Sequence, residues 1–181
     1  MSKPSAWWVA VVASGVVTGC NEGSSVPLAS GNQLPACETF STALTLLDRM
    51  DQPAYVFNVG EDIFANMRVT NNTPFPAAMR PAYTCGDIAI VDVFSQATNV
   101  WSSPHAVCIA AAPDQLFDPY ESVHYRVRLG DIRGSGSLSW PWPWPSGTYI
   151  VNVHVGHVMD SQRQWVDCSA TLDKQASFNI L

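Results

Sequence analysis

The chain has 181 residues, of which 47% are hydrophobic and 13% are charged, and its formal net charge is −6. This length suits one domain with short appendages, and the hydrophobic content excludes wholesale disorder. Lysine and arginine together number 9, against 15 acidic residues. Nucleic-acid binding needs clustered basic side chains that neutralise phosphates, so the composition argues against nucleic acid as a partner.

The first twenty residues have the features of an export signal. Lys3 provides a positive charge, and the stretch 6–19 is uncharged and mostly apolar. This stretch is shorter than the roughly 20 residues that a transmembrane helix needs. It leads into the sequence VTGC at 17–20, which resembles the lipobox of bacterial lipoproteins. The resemblance implies lipidation of Cys20 and, because Asn21 rather than aspartate follows, sorting to the outer membrane.

The export signal divides the chain into three parts. We expect a lipoprotein signal peptide at 1–19, a flexible tether at 20–36 and a folded domain at 37–181. The tether is rich in glycine, serine and proline and lacks hydrophobic periodicity. In the alternative, the signal peptide is an ordinary one and Cys20 is incidental.

The remaining cysteines suit an oxidising compartment. If Cys20 carries lipid, four cysteines are left, which suggests two disulfides in an exported protein. Three pairings are possible. We prefer Cys37 with Cys168, which joins the two ends of the domain, and Cys85 with Cys108. A zinc site is the alternative, although zinc ligands are usually closely spaced pairs and these cysteines are widely separated.

Short apolar runs, several alternating with polar residues, predict a succession of strands. In chain order they lie at 43–48, 63–70, 87–95, 100–101, 107–111, 122–129, 148–158, 165–172 and 177–180. The alternation is clearest in the runs 63–70, 122–129 and 148–158. It predicts that the following side chains face the core: Ile63, Ala65, Met67, Val69, Val123, Tyr125, Val127, Leu129, Tyr149, Val151, Val153 and Val155. The last two runs would form a hairpin, and 114–121 would be a connecting segment. A helix at 40–47 stays open as an alternative.

Seven to nine short strands at regular spacing, without a convincing long amphipathic helix, predict an all-β antiparallel sandwich. The sequence WPWPWP at 140–145 interrupts the pattern. Proline at every second position cannot donate hydrogen bonds to a strand ladder. We therefore expect extended, polyproline-like backbone at an edge or across an open end of the sandwich.

Five features between residues 55 and 155 occur in a familiar order. They are the strand DIFANMRVTNNT (62–73), the pair Val100-Trp101, the isolated Phe117, the element PYESV (119–123) and the closing PSGTY (145–149). This order resembles the BsuPI family, named for an intracellular proteinase inhibitor of bacilli. The resemblance implies an immunoglobulin-like sandwich, with Trp140 or Trp142 in its core. The turn 118–121 departs from the family because it lacks the usual glycine.

The histidines and serines do not form a recognisable catalytic or metal-binding set. His154 and His157 are three residues apart, so on a strand they would face opposite sides. His124 and His154 would be neighbours if their strands paired. The glycine-serine run 134–137 lacks the helix that a nucleophile elbow requires. We expect no cofactor, no metal ion and no enzymatic activity.

The function that these observations favour is a lipid-anchored binding module at the cell envelope. The BsuPI resemblance implies a proteinase inhibitor, and Arg133, Trp142 and Trp144 are the candidate inhibitory or binding residues. One alternative is an accessory subunit of an envelope complex, which would act through a sheet face or an exposed edge. Another is an enzyme or carbohydrate binder that stacks sugars on Trp140 and its two neighbouring tryptophans.

Overall fold

The computed structural model describes residues 35–81, 89–103, 114–130 and 142–181. The strands in these segments, in chain order, are β1 (Phe40–Leu47), β2 (Val56–Phe57), β3 (Phe64–Asn71), β4 (Ala77–Arg80), β5 (Ala89–Ser95), β6 (Thr98–Ser102), β7 (Gln115–Phe117), β8 (Ser122–Arg128), β9 (Gly147–Val155), β10 (His157–Met159), β11 (Trp165–Val166) and β12 (Lys174–Ile180). A 3-10 turn spans Ala36–Glu38, and one short helix, α1, spans Ser169–Leu172. No helix in these segments is long and apolar enough to cross a membrane.

The strands form three sheets in the described part of the chain. Their orders are β1-β3-β8, β11-β10-β4-β7 and β2-β12-β9-β5-β6. Neighbouring strands run antiparallel, except that β2 pairs in parallel with β12. The three sheets enclose a common hydrophobic core. The fold is an all-β antiparallel sandwich, as the sequence predicted. The prediction of seven to nine strands is wrong, because the described residues form twelve, several of them only two to four residues long.

Alternating side chains position the sheets against the core. In β3 and β9 the predicted inward side chains are buried: Ala65, Met67, Val69, Tyr149, Val151, Val153 and Val155. Burial of this apolar surface, at about 25 cal/mol per Å², supplies the main driving force for packing the sheets together. Inward side chains of β8 are only partly buried, because β8 is the edge strand of its sheet.

The structure corrects the predicted strands at several places. Residues 40–47 form β1 and not a helix, while the segment 114–121 contains the short strand β7. The predicted strand 148–158 breaks at Gly156, so β9 and β10 join different sheets. The predicted strand 165–172 is β11 followed by α1, where the Asp167 carboxylate accepts a hydrogen bond from the Ser169 N–H.

The predicted terminal hairpin is also wrong. β12 pairs with β9 and β2, whereas β11 pairs with β10 in another sheet. The helix α1 separates the two segments, so they have no opportunity to pair locally. The predicted strand 107–111, the signal peptide 1–19 and almost all of the tether lie outside the described residues.

Tyr125 on β8 holds its hydroxyl in an enclosed position. Burial raises the pKa of Tyr125 to about 12; the nearby Gln115 side chain opposes this shift, and the charge of Glu121 adds to it. The Gln115 side chain lies near the Tyr125 hydroxyl. Within the described residues, however, this hydroxyl makes no hydrogen bond of regular geometry. Burial also raises the pKa of Tyr149.

We expect these tyrosines to make the fold sensitive to alkali. A folded-state pKa above the unfolded value of about 10 means that stability is fully present below pH 10 and falls as pH rises towards 12. Urea unfolding at pH 9, 10, 11 and 12 measures this loss. Tyr125→Phe should reduce the alkaline decline, with the remainder due to Tyr149. An unchanged pH dependence in Tyr125→Phe would contradict the assignment.

Candidate functional site

The structure places Trp144 in the core and not on a binding surface. Its side chain is 0% exposed, and its ring stacks on Tyr149 with 5.4 Å between centroids. Tyr149 in turn stacks on Phe178 at 5.4 Å. The prediction of Trp144 as a candidate inhibitory or binding residue is therefore wrong, because its ring packs into the core against Tyr149.

Trp142 is a supporting residue rather than a free surface residue. It is partly buried against the core, and its ring meets Trp144 edge-on with 5.1 Å between centroids. The ring also covers Gly130, where a Cβ atom would come within 2.4 Å of it. Gly130 has φ +74°, so both the space and the backbone conformation require glycine. Trp140 and Arg133 lie outside the described residues.

The disulfide between Cys37 and Cys168 is present, as the sequence predicted. It joins residues 131 positions apart, with Cα atoms 5.2 Å from each other. The bond ties the start of the domain to the residue that precedes α1. Cys20, Cys85 and Cys108 lie outside the described residues.

The histidines do not form the pairs that their positions suggested. His124 is on β8, in the three-stranded sheet, whereas His154 is on β9, in the five-stranded sheet. Their strands do not pair, so the two side chains are not neighbours. His157 lies beyond Gly156 on β10, opposite Arg80, in the four-stranded sheet.

A polar cluster covers part of the outer face of the five-stranded sheet. The His154 imidazole lies between two carboxylates, with Nδ1 2.7 Å from Asp173 Oδ2 and Nε2 3.7 Å from Asp92 Oδ2. The Ser102 hydroxyl and the Asn99 amide both donate to Asp92. Ser102 therefore contacts the carboxylate and not the imidazole, so the cluster does not form the nucleophile–base pair of a serine hydrolase.

The same cluster does not converge on a metal ion. The two carboxylates lie on opposite edges of the His154 ring, so the three groups cannot share a single cation. Within the described segments, no group of three histidine, cysteine, aspartate or glutamate side chains has a metal-binding arrangement. The cluster stabilises the outer face of the sheet through cross-strand hydrogen bonds.

A different surface lies where β3 leads to β4 and β7 leads to β8. We name the connection 72–76, the turn 118–121 and Leu116 together the loop end. The segments of the loop end are held together by Asn71, a fully buried residue at the last position of β3. The Asn71 Nδ2 donates to the carbonyls of Phe75 (2.7 Å) and Asp118 (3.0 Å), and its Oδ1 accepts from the N–H (3.0 Å) and hydroxyl (2.8 Å) of Thr73.

These contacts make Asn71 a cross-link between two loops. An asparagine side chain has two donor hydrogens and two acceptor positions, and all four are used here. The Asn71 backbone N–H also donates to the Glu121 carbonyl at 2.9 Å, and the Tyr120 N–H donates to the Thr73 carbonyl at 3.2 Å. The loop end is therefore a rigid surface.

Large apolar side chains project from the loop end into solvent. Phe75 is 44% exposed, Leu116 is 72% exposed and Tyr120 is 64% exposed. Pro74 and Pro76 flank Phe75, and both are exposed. Single exposed apolar residues are normal, but three on adjoining rigid segments mark a candidate interaction surface.

The turn at 118–121 contains a backbone outlier. Tyr120 has φ +59°, in the left-handed region that favours glycine. The Glu121 N–H donates to the Asp118 carbonyl at 3.1 Å and closes the turn. This is the turn in which the BsuPI pattern has a glycine and this chain does not. The left-handed conformation costs a tyrosine about 1–2 kcal/mol, and the exposed ring recovers little of it by packing.

Tyr120→Gly should therefore be tolerated by the fold. Relief of the left-handed strain, about 1 kcal/mol, offsets the extra entropy that glycine gives the unfolded chain. We expect an unfolding free energy equal to that of the wild type or up to about 1 kcal/mol higher. Tyr55→Gly, at an exposed tyrosine without positive φ, is the control and should cost about 0.5–1 kcal/mol. Equal destabilisation by both variants in urea unfolding would contradict the strain assignment.

The charges around the loop end are acidic. Asp118 and Glu121 belong to its turn. The loop end itself contains no lysine or arginine. The nearby Arg80, at the other end of β4, forms an ion pair with Asp114 at 3.2 Å. The loop end therefore combines apolar side chains with a negative rim.

Comparisons with known proteins find only distant likenesses among solved structures. No family model matches the chain, and no curated protein matches it. A β-glucosidase from Listeria innocua, in complex with glucose, matches 78% of this chain at 10% identity and TM-score 0.38, and the match covers 16% of the β-glucosidase. The CARDB domain of a Pyrococcus furiosus protein, in complex with di-metal ions, matches 82% of this chain and 95% of its own at 12% identity and TM-score 0.37. Neither likeness carries an argument about function.

Proposed function

We propose that the chain is an exported, lipid-anchored binding domain at the bacterial cell envelope. The observation that carries the proposal is the disulfide between Cys37 and Cys168. Such bonds form and persist in oxidising compartments and are rare in the cytosol. The disulfide agrees with the export signal at 1–19 and with Cys20 as the lipidated residue.

The predicted tether would hold the domain away from the bilayer. A flexible linker of about 16 residues has an average span of roughly 20–25 Å. The tether ends at the 3-10 turn, whose Cys37 is bonded to Cys168. The tether would therefore join the domain at a position fixed by the disulfide. This arrangement favours a role in which the domain presents its surface to envelope components.

Two observations support binding rather than catalysis. The polar cluster around His154 is arranged as a hydrogen-bonded surface in which carboxylates occupy both sides of the imidazole. The loop end, in contrast, exposes apolar side chains on a rigid frame, which is the usual composition of a recognition surface.

Proteinase inhibition is the more specific form of the proposal, and it is supported by the BsuPI resemblance. Trp144 is buried, so the candidates for an inhibitory contact are the segment around Arg133, the partly buried Trp142 and the loop end. The chain 20–181 with Cys20→Ala, purified as a soluble protein, should inhibit a subtilisin-like, chymotrypsin-like or trypsin-like protease at micromolar concentration. If none of the three is inhibited, the inhibitor form of the proposal fails.

An accessory subunit of an envelope complex is the second candidate, and the exposed side chains of the loop end favour it. Chemical crosslinking of intact cells, followed by purification of the tagged chain, separates the two candidates. A stoichiometric partner without protease activity supports the accessory role, whereas a protease supports inhibition.

A further inference from the structure

We propose that the loop end docks a protein partner whose surface offers an apolar pocket with a basic rim. The proposal rests on the binding role proposed above and names the surface and the partner chemistry. It does not depend on the lipid anchor. Phe75 is the anchoring side chain, and Tyr120 and Leu116 extend the contact.

The first argument is the exposure of apolar surface on a frame that is already ordered. Aromatic side chains dominate binding energy at protein interfaces when they enter a desolvated pocket. Phe75 stands between two prolines, and its own carbonyl accepts from both the Asn71 Nδ2 (2.7 Å) and the Thr73 hydroxyl (2.9 Å). Because these contacts fix the loop before binding, little conformational entropy is lost when a partner docks.

The second argument is the strain at Tyr120. Tyr120 is one of five non-glycine residues with positive φ in the described segments, and it is the only aromatic one among them. Such outliers are uncommon for bulky residues and cluster at functional sites. The 64% exposure of the Tyr120 side chain means that it contributes little to the folded core. Glycine would adopt the same turn at lower conformational cost, and a contact outside this chain would give the exposed tyrosine ring a role.

The third argument is charge, which selects the kind of partner. The rim carries Asp118 and Glu121, the loop end itself contains no lysine or arginine, and the nearby Arg80 is already paired with Asp114. An acidic rim is repelled by an anionic lipid surface, and a second copy of this acidic chain would bring the same negative rim. Electrostatic complementarity therefore favours a protein with basic side chains around its pocket.

Site-specific photo-crosslinking in cells that make the full chain tests the contact. The crosslinking amino acid p-benzoylphenylalanine replaces Phe75 or Tyr120, and it replaces Ile150 as a control. Ile150 is 37% exposed on the five-stranded sheet, away from the loop end. We expect positions 75 and 120 to crosslink the same protein and position 150 not to crosslink it.

The crosslinked protein is then purified and titrated with the soluble chain by calorimetry. Phe75→Ser should weaken its affinity by about tenfold or more, as the loss of an anchoring aromatic does. Tyr120→Gly should also weaken binding, although it leaves the fold intact, and Ile150→Ser should change the affinity less than about twofold. Asp118→Asn, which removes one rim charge, should reduce both the affinity and its sensitivity to salt.

Other outcomes overturn the proposal. These are crosslinks only between copies of this chain, crosslinks only to lipid, no crosslink at positions 75 and 120 above that at 150, or a purified partner whose affinity is unaffected by Phe75→Ser and Tyr120→Gly. These results are independent of anchoring. A chain that is not lipidated but still binds through the loop end would contradict the proposed anchor and leave the docking surface standing.

Discussion

Replacing Trp144 with alanine should lower the unfolding free energy by about 3–5 kcal/mol, the usual cost of deleting a large buried aromatic side chain. Trp144 is fully buried, stacks on Tyr149 and contacts Trp142. For a domain of this size the loss corresponds to a fall of roughly 10 °C or more in Tm. Urea unfolding followed by circular dichroism, together with a thermal scan, measures both quantities.

Two control variants make this prediction specific to Trp144. Trp142→Ala should cost less, about 1–3 kcal/mol, because Trp142 is only partly buried. Trp144→Phe should also cost less than alanine, because phenylalanine keeps an aromatic ring in the core and leaves a smaller cavity. The indole Nε1 has no hydrogen-bond partner among the described residues, so neither variant loses such a bond. A larger loss from Trp142→Ala than from Trp144→Ala would mean that Trp144 is not the core tryptophan.

Removing the disulfide should have a comparable effect. The double variant Cys37→Ala, Cys168→Ala releases a connection over 131 residues. In a chain-entropy treatment, a loop of this length stabilises the fold by about 4–5 kcal/mol, and native disulfides of this kind contribute about 2–5 kcal/mol. Urea unfolding of the wild type and the double variant, without reductant, measures the difference. A difference below about 1 kcal/mol would mean that this disulfide does not stabilise the fold to the expected extent.

The same variant also reports on the second predicted disulfide. Cys85 and Cys108 remain in it, so dithiothreitol should lower its stability further if these two cysteines are paired. Stability that is unaffected by dithiothreitol would mean that this pair does not contribute.

The alternation of apolar and polar residues was sufficient to predict the central strands. In β3 and β9, every second side chain is buried, and period-two alternation is a local property of the sequence. The pairing of Cys37 with Cys168 was also predictable, because the two cysteines lie near the two ends of the domain and an exported chain favours disulfides.

Strand breaks and partners were harder to predict, because they depend on distant parts of the chain. Gly156 ends β9 and sends β10 to a different sheet, and no local signal distinguishes this from a continuous strand. The short strand β7 is held by its pairing with β4, which lies more than thirty residues earlier. Trp144 was misassigned for a related reason. Its ring is buried because Tyr149 offers a stacking partner, and the repeated Trp-Pro pattern cannot indicate which ring does so.

The loop end was missed, although the sequence contained signs of it. Phe75 between two prolines and Tyr120 in place of a turn glycine were both visible in the sequence. What could not be read there is that the Asn71 side chain joins the two loops, since residues 71 and 118 come together only in the folded sandwich. The sequence could suggest an unusual residue in each loop, but not that both belong to one surface.

The central claim is that this is an exported domain held at the envelope by a lipid on Cys20. Intact-mass measurement of the chain purified from membranes tests it directly. The prediction is a mature protein that begins at Cys20 and carries the added mass of a lipid, together with a Cys20→Ala variant that is not lipidated and is lost from the membrane fraction. A mature chain that begins elsewhere, or one with an unmodified Cys20 thiol, would contradict the claim.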